Sequence, residues 1–451
     1  MEDTIAAIST ALGVGAISIV RVSGPDSLDI VSKMFKGPDL KKVNTHTINY
    51  GHIVDGDEII DEVLVSVMKA PNTYTREDIV EINCHGGIST TNKVLELLLT
   101  NGARLAERGE FTKRAFLNGR IDLTESEGIL DLIDSKSDLE RRVAIQNETG
   151  GLHRLIEKYR DKLKDVISHI EVNIDYPEYY DIEVVDDKKI NDNIDYLIDE
   201  LKKLIKESEG KRIIKTGIRT IIVGRPNVGK SSILNKLLNY DKAIVTDIEG
   251  TTRDTVEGEI YIDGVHLNII DTAGIRKTDN VVEKIGVEKS LSLIDSADLV
   301  LVVLNSNEPL TKEDKKILEK TKDKTSIVVL NKSDLESHIE KDYLKGREIT
   351  KTNTIDDNGI DTLKEKIKEM FNLDKIETVD YTYLTNSRTM SLAKSALKSL
   401  ESAKKGAQTN TPIDLIEIDI KDAFDKLGEI IGVTYTDEII DNLFKNFCVG
   451  K

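Results

Sequence analysis

Chemistry is concentrated in the stretch Gly224-Arg225-Pro226-Asn227-Val228-Gly229-Lys230-Ser231-Ser232. It follows the β-type run Ile218 to Val223 and precedes the helical spacing Ile233, Leu234, Leu237, Leu238. A strand, a glycine-containing loop and a helix in that order form an anion cradle. Gly224 and Gly229 let the backbone approach a phosphate with no Cβ in the way. The helix N-terminus aims partial positive charge at the same place. In such a loop Lys230 reaches the β- and γ-phosphates and the Ser231 hydroxyl holds Mg²⁺.

Further motifs follow in the order a GTPase needs. Asp271-Thr272-Ala273-Gly274 ends the apolar run Val265 to Ile270. Asp271 is placed to hold the metal through water and the Gly274 amide to touch the γ-phosphate. Asn331-Lys332-Ser333-Asp334 ends the run Ile327 to Leu330. A carboxylate at Asp334 accepts two hydrogen bonds from N1 and the exocyclic amine of guanine. Adenine lacks that donor pair, and a mismatched base leaves polar groups unpaired. Between these motifs lies Gly250-Thr251-Thr252-Arg253-Asp254, with Thr252 placed to complete the Mg²⁺ shell. Together they predict GTP binding.

Hydrolysis poses a separate problem. Ras-like GTPases orient water with a Gln just after Asp-x-x-Gly. Here that position is Ile275, which neither donates nor accepts. Arg276, Asp279, Glu283 and Lys284 are near in sequence. Glu283 is the candidate water-orienting carboxylate; an ordinary helix-surface glutamate is the competing reading, and the residues alone leave the two open.

The elements that must position these groups are legible from periodicity. Leu299 to Leu304 and Ser326 to Leu330 are continuous apolar runs, as buried parallel strands are. Residues 211–372 therefore alternate strands and helices as a doubly wound sheet does. Residues 1–118 read as a mixed α/β domain, with strands at Ile17–Val22, Ile59–Val67 and Ile79–Ile82 and a helix at Asn92–Leu99. Residues 119–210 are helical: Leu152, Ile156, Tyr159, Leu163 and Val166, then Ile194, Leu197, Leu201 and Leu204, recur near 3.6 residues, on either side of Pro177. Residues 373–451 return to helix through Leu392, Ala396, Leu400, Ile420, Phe424, Leu427 and Ile431. The fold class is α/β and all-α multidomain: an N-terminal α/β domain, a discontinuous helical domain and an inserted Ras-like P-loop domain.

Composition bounds the partners. The chain has 451 residues and a formal charge of −18, which argues against a broadly basic nucleic-acid surface. Its cysteines, Cys84 and Cys448, make no disulfide framework, which suits a reducing cytoplasm. No apolar run approaches the ~20 residues of a membrane span, and the N-terminus shows no signal-peptide pattern. His85-Gly86-Gly87 reads as a plain strand-to-helix turn.

At this point the chain resembles a known family, the tRNA modification GTPase MnmE, also called TrmE. The resemblance rests on Asp3-Thr4-Ile5-Ala6-Ala7, Arg21-Val22-Ser23-Gly24, Glu81 with His85-Gly86-Gly87, Gly109 to Arg120, and the terminal Phe447-Cys448-Val449-Gly450-Lys451. It implies an N-terminal domain (1–118) that binds 5-formyltetrahydrofolate or a related tetrahydrofolate and dimerises. It also implies a helical domain split into 119–210 and 373–451 around the GTPase domain (211–372). With an FAD-containing partner, MnmG, the family installs an aminomethyl or carboxymethylaminomethyl group on the wobble uridine of tRNA. By matching positions, Arg21, Glu81, Arg120 and Lys451 are folate contacts. Thr246, Asp247, Ile248, Glu249, Gly250 and Thr251 join the nucleotide set, with Asn227, Thr246, Ile248 and Thr251 holding K⁺. The ion does the work of an arginine finger when the GTPase domains of a homodimer meet. Glu283 matches the water-activating glutamate, and Arg276 steadies the switch region. Cys448 is assigned a supporting role at the folate site rather than covalent catalysis.

Departures from the family pattern are visible. Leu12-Gly13-Val14-Gly15-Ala16 lacks the family's Arg, and Arg76 stands where a Gly is usual. The last guanine loop is degenerate, with Ile349-Thr350-Lys351-Thr352 the nearest candidate. This predicts weak nucleotide binding and easy exchange. Competing readings are a regulatory GTPase acting in ribosome assembly, which lacks the folate-like domain, and a stand-alone folate-dependent one-carbon transferase, which leaves the inserted domain unexplained.

Overall fold

The computed structural model describes residues 3–175, 187–240, 256–262, 264–270, 293–355, 359–371, 373, 382–409 and 411–451. The chain divides into two compact units. The first comprises Met1–Asp134, Ala144–Ile205 and Asn386–Lys451; the second comprises Ser135–Val143 and Lys206–Thr385.

The first unit carries a seven-stranded sheet built from β1 (Ile5–Ile8), β2 (Ile17–Ser23), β3 (Phe35–Lys36), β4 (Thr47–Asp55), β5 (Glu58–Met68), β6 (Ile79–His85) and β7 (Arg104–Leu105). Their spatial order is β3-β4-β5-β6-β2-β1-β7, antiparallel except for the parallel pair β1–β7. Alternation places Val63, Val65 and Val67 of β5 on the face covered by α1 (Ser27–Met34) and α2 (Ile88–Thr100), where Ile30, Val31, Val94 and Leu98 complete the core. The strands expected near 17–22, 59–67 and 79–82, and the helix near 92–99, are all present. Sequence reading missed β4, and the structure shows why. Its large residues Ile48 and Tyr50 face outward, while the inward position 51 is a glycine against the Phe35 ring. A Cβ there would lie 2.4 Å from that ring, so of the inward positions 49, 51 and 53 only Ile53 is a large apolar residue, and the inside–outside alternation is masked.

After α3 (Glu110–Leu117), the helical part of this unit packs α4 (Leu123–Asp134) and α6 (Gly151–Asp175) with the helices Ser387–Gln408 and Ile413–Ile431, on the 3.6-residue stripes read from the sequence. Ile156, Leu163, Ile170, Ala396, Leu400, Ile420 and Leu427 are fully buried. The chain then ends through the helix Asp437–Phe444. Phe444 and Phe447 pack with Phe116 and Leu123. Pro177, expected to break the helical stretch, lies outside the described residues. Two more helices are α5 (Asp138–Glu148) and α7 (Asp187–Thr216).

The second unit holds a six-stranded sheet of β8 (Ile218–Val223), β9 (Val256–Ile262), β10 (Val265–Ile270), β11 (Leu299–Asn305), β12 (Ser326–Asn331) and β13 (Glu348–Lys351). The order is β13-β12-β11-β8-β10-β9, parallel except for the antiparallel edge strand β9. Its central strands are buried on both faces, which is why they read as unbroken apolar runs. Ser135–Val143 belongs to this unit although the sequence reading assigned it to the helical segment. Leu139 and Val143 join the sheet's core, Glu140 pairs with the buried His266 at 3.1 Å, and Lys136 pairs with Glu259.

Candidate functional site

Within the second unit the chain leaves β8 on one side for β9 and β10, then crosses to β11 on the other. In an open parallel sheet, the crevice beyond the strand ends at such a switch point is where ligands bind. The loop after β8 lies there, and α8 (Lys230–Tyr240) starts directly behind it. Gly224 has φ 157° and Gly229 φ 101°. A Cβ on Gly224 would lie 2.4 Å from the Val303 carbonyl oxygen, and one on Gly229 would lie 2.1 Å from Asn331 Nδ2. Glycine is therefore required at both positions by close approach as well as by dihedral. Asn227 has a left-handed φ of 65°, a conformation asparagine tolerates better than most residues. Lys230 Nζ donates to the carbonyls of Gly224 and Arg225, each at 2.9 Å, which holds the ammonium over the loop. Ser231 and Ser232 are exposed on the first turn of α8, whereas Val228 is buried beneath the loop. This cradle fits a phosphate chain, and the Ser231 hydroxyl suits a divalent cation beside it.

β12 ends at the same edge, and its last residue, Asn331, ties the edge together. It is 1 % exposed. Its Nδ2 donates to the Val228 carbonyl at 2.9 Å and its Oδ1 accepts from Thr352 Oγ1 at 3.3 Å. Lys332 follows with a left-handed φ of 58°, and Asp334 is exposed beyond it. The degenerate loop is corrected by the structure. Glu348–Lys351 is strand β13 with Thr350 buried inside it, so the loop at the sheet edge begins at Thr352 and continues through Asn353 and Thr354. The Thr352 amide donates to the Leu330 carbonyl and its carbonyl accepts from Ser333, which seats this loop beside the Asn331 motif. Thr246, Asp247, Ile248, Glu249, Gly250, Thr251, Thr252, Asp271, Thr272, Ala273, Gly274, Arg276 and Glu283 lie outside the described residues. β9 begins and β10 ends next to the segments that contain them.

Within the first unit a second cluster forms. Arg21 of β2 sits opposite Glu81 of β6 in register and donates to it at 2.8 Å. Arg21 also donates to the Gly450 carbonyl at 3.2 Å, which ties the C-terminus to the sheet. Gly450 has φ 91°, and a Cβ there would lie 2.3 Å from the Ile8 carbonyl oxygen. Burial, with the Arg21 charge adding to it, pushes the Lys451 ammonium below the usual lysine range. The Arg21 guanidinium lies 5.9 Å from the Tyr74 ring and 5.5 Å from that of Phe111, and Arg120 lies 4.7 Å from the Tyr74 ring. Arg21 and Arg120 thus share the Tyr74 ring, with Glu81 bonded to Arg21 and the Lys451 charge near it, an arrangement that fits an anionic ligand with a flat ring. Sequence reasoning missed Tyr74 and Phe111, since an isolated aromatic carries no spacing signal.

His85 Nδ1 bonds Asp61 at 2.7 Å and His153 Nδ1 bonds Asp122 at 2.5 Å. Cys448 is exposed, and its carbonyl accepts from the Gly109 amide at 3.2 Å. Arg76 adopts the left-handed φ of 60° that a glycine takes easily, and its guanidinium donates to the Asn118 carbonyl at 2.8 Å.

The sheet order, the glycine cradle and the Asn331 motif define a P-loop nucleotide-binding domain of the GTPase class, joined in one chain to a mixed α/β sheet and a helical bundle. A family model described as the MnmE helical domain matches residues 123–448, and one described as the GTP-binding protein TrmE N-terminus matches residues 4–120. The chain is 51 % identical over 456 residues to the tRNA modification GTPase MnmE of Ligilactobacillus salivarius, covering 100 % of this chain and 98 % of that one. It is 48 % identical over 458 residues to the protein of the same name from Geobacillus thermodenitrificans, covering 100 % and 99 %. The chain belongs to the MnmE family of tRNA modification GTPases. Among solved structures, the G domain of the T. maritima FeoB iron transporter is 28 % identical with a TM-score of 0.26, covering 34 % of this chain and 98 % of that one. Aquifex aeolicus Era bound to GDP and AlF4⁻ is 27 % identical with a TM-score of 0.26, covering 40 % and 66 %. Among the described residues, no helix is long and apolar enough to cross a membrane.

Proposed function

We propose that the chain is a potassium-stimulated GTPase which, with an FAD-containing MnmG partner, modifies the wobble uridine of tRNA using a tetrahydrofolate one-carbon unit. The product is the 5-carboxymethylaminomethyl or the aminomethyl form. The observation that carries the reading is the shared edge where Lys230, Asn331 and the Thr352 loop meet behind the glycine cradle. There the loop amides and Lys230 hold the phosphates, and Asp334 reads the guanine. Ser231, with Thr252, would hold Mg²⁺, which would supply positive charge to the phosphates. Asn227, with Thr246, Ile248 and Thr251, would hold K⁺, which supplies positive charge where the side chains supply none. Glu283 orients the attacking water in this reading, through an intervening water, and Arg276 steadies the segment around it. These roles rest on position in the sequence.

In the N-terminal domain, Arg21, Arg120 and Lys451 bind the folate carboxylates and Glu81 accepts from the pterin amide edge. Cys448 flanks this site. The exposed apolar residues Ile48, Tyr50 and Leu64 on the outer face of β4 and β5 support a homodimer through this domain. The enzyme is placed in the cytoplasm, where tRNA and reduced thiols coexist.

GTP turnover in KCl against NaCl, with Glu283→Ala alongside, tests the hydrolytic part. Faster turnover in KCl and a loss of about a hundredfold or more in the variant are expected for a lost general base. Equal rates in the two salts remove the cation's role, and normal turnover in the variant removes that of Glu283. Nucleoside analysis of tRNA from a deletion strain tests the substrate: intact wobble-uridine modification would return the ribosome-assembly reading.

A further inference from the structure

We propose that Arg225, at the phosphate loop, is a positioning residue that Glu308 and Asp314 hold in place, and that this clamp sets nucleotide affinity. The proposal rests on the P-loop reading above. Arg225 has two roles in the loop. Its backbone carbonyl accepts from Lys230 Nζ at 2.9 Å. Its side chain reaches away from the loop toward the segment that follows β11, and only a fifth of it is exposed.

Two carboxylates meet the guanidinium there. Glu308 accepts from Nη2, and Asp314 Oδ2 lies 3.3 Å from Nε. Both are fixed independently. The Glu308 carboxylate accepts from Asn305 Nδ2 at 2.6 Å, and Asn305 is the buried last residue of β11. The Arg225 guanidinium, opposed by partial desolvation, holds the Glu308 carboxyl below its ordinary range. Asp314 is 2 % exposed. It closes a capping box with Thr311 at the start of the helix Lys312–Lys320. Among the described residues, Asp314 Oδ1 and Arg225 Nε lack hydrogen-bond partners, so the Asp314 contact is an ion pair without a directed bond. Arg225 is then the cation that offsets a buried carboxylate.

The consequence concerns pre-organisation. A loop that must be ordered at the moment of binding spends part of the interaction free energy on that ordering. Here the clamp fixes the Arg225 peptide, that peptide holds the Lys230 ammonium, and Lys230 is aimed before a nucleotide arrives. Glu308 meets the phosphate loop through the Arg225 guanidinium, so its effect on binding runs through Arg225. Losing the clamp raises Kd and KM and leaves the bound state's chemistry alone.

The test uses the full chain, a fluorescent GDP analogue and steady-state GTP turnover. Arg225→Ala leaves Asp314 buried without its cation and is itself at risk of unfolding. Glu308→Gln, on the exposed side of the clamp, is therefore the primary variant. We expect it to raise the GDP Kd and the GTP KM by about tenfold, the weight of one charge-assisted hydrogen bond. Its kcat and melting temperature should match the wild type. Glu308→Asp, which keeps the charge, should recover part of the affinity. The double variant with Arg225→Ala should bind no more weakly than Arg225→Ala alone, because both changes remove one contact. An unchanged Kd in Glu308→Gln overturns the proposal, and so does a loss confined to kcat. If neither the wild type nor the variant binds GDP, it is the P-loop reading that fails.

Discussion

Replacing Asn331 with alanine separates two jobs that one motif is asked to do. In the proposed reading its neighbour Asp334 contacts the base, whereas the Asn331 amide is buried, donating to the Val228 carbonyl and accepting from Thr352. The Asn331→Ala variant strips a partner from a carbonyl beneath the phosphate loop and from a hydroxyl at the start of the next loop. A buried polar group left unsatisfied costs about 1–3 kcal/mol. If that cost is felt only when the loop must hold its native shape, it appears in nucleotide binding as about a fivefold to 150-fold rise in Kd. The same variant leaves a hole opposite Gly229, whose missing Cβ makes room for the Asn331 amide. The assay is displacement of a fluorescent GDP analogue by GDP and, separately, by inorganic pyrophosphate, which has no base. Asn331→Ala should weaken both competitors. Asp334→Ala should weaken GDP and leave pyrophosphate as it was. If Asn331→Ala weakens GDP while pyrophosphate competes as well as before, then Asn331 works on the base and the argument from its hydrogen bonds is wrong.

Other expectations follow from the first unit. Arg114 is fully buried and pairs with Asp3, Glu77 and Glu110. Arg114→Met should cost this unit about 3–5 kcal/mol, because it takes a buried cation from the buried Glu110 and from Glu77, which is nearly so; a urea midpoint within error of the wild type would refute that. Burial alone would raise the Glu110 carboxyl, but hydrogen bonds from Arg104, the Glu107 amide and Arg114 outweigh it and hold it below the ordinary range. Asp3 is lowered against burial by the same arginines. A carboxyl lowered on folding contributes stability above its unfolded pKa, about 4, and loses it as pH falls through the lower folded value. The urea midpoint should therefore drop from pH 5 toward pH 3, and a flat profile would count against the network. At the cationic cluster, Arg21→Ala and Lys451→Ala should each weaken 5-formyltetrahydrofolate binding in calorimetry. Because burial has lowered Lys451, its charged form is lost at a lower pH than a free lysine's, and affinity should decline as pH rises below the usual lysine range. Equal affinity across that range would remove Lys451 from the site.

What the letters alone determined is local and periodic. Gly224 to Ser231 announces an anion cradle because two glycines, a lysine and a hydroxyl at fixed offsets do one job within one loop. The buried strands β11 and β12 and the long stripe of α6 were equally legible, since burial on two faces or on one helical face leaves its period in the chain. Tertiary structure decided whatever depends on residues far apart in sequence. It put Arg21 against Glu81 and brought Gly450 to both Arg21 and Ser9, joining the last residues to the first strands. It turned Glu308 and Asp314, ordinary acidic residues by spacing, into the partners of Arg225. It assigned Ser135–Val143 to the sheet of the second unit through Leu139 and Glu140. It also hid β4, where a glycine makes room for an aromatic ring and Ile48 and Tyr50 turn outward. Contacts of this kind are set by register and by close approach of backbones, and neither leaves a repeat that a linear reading can detect.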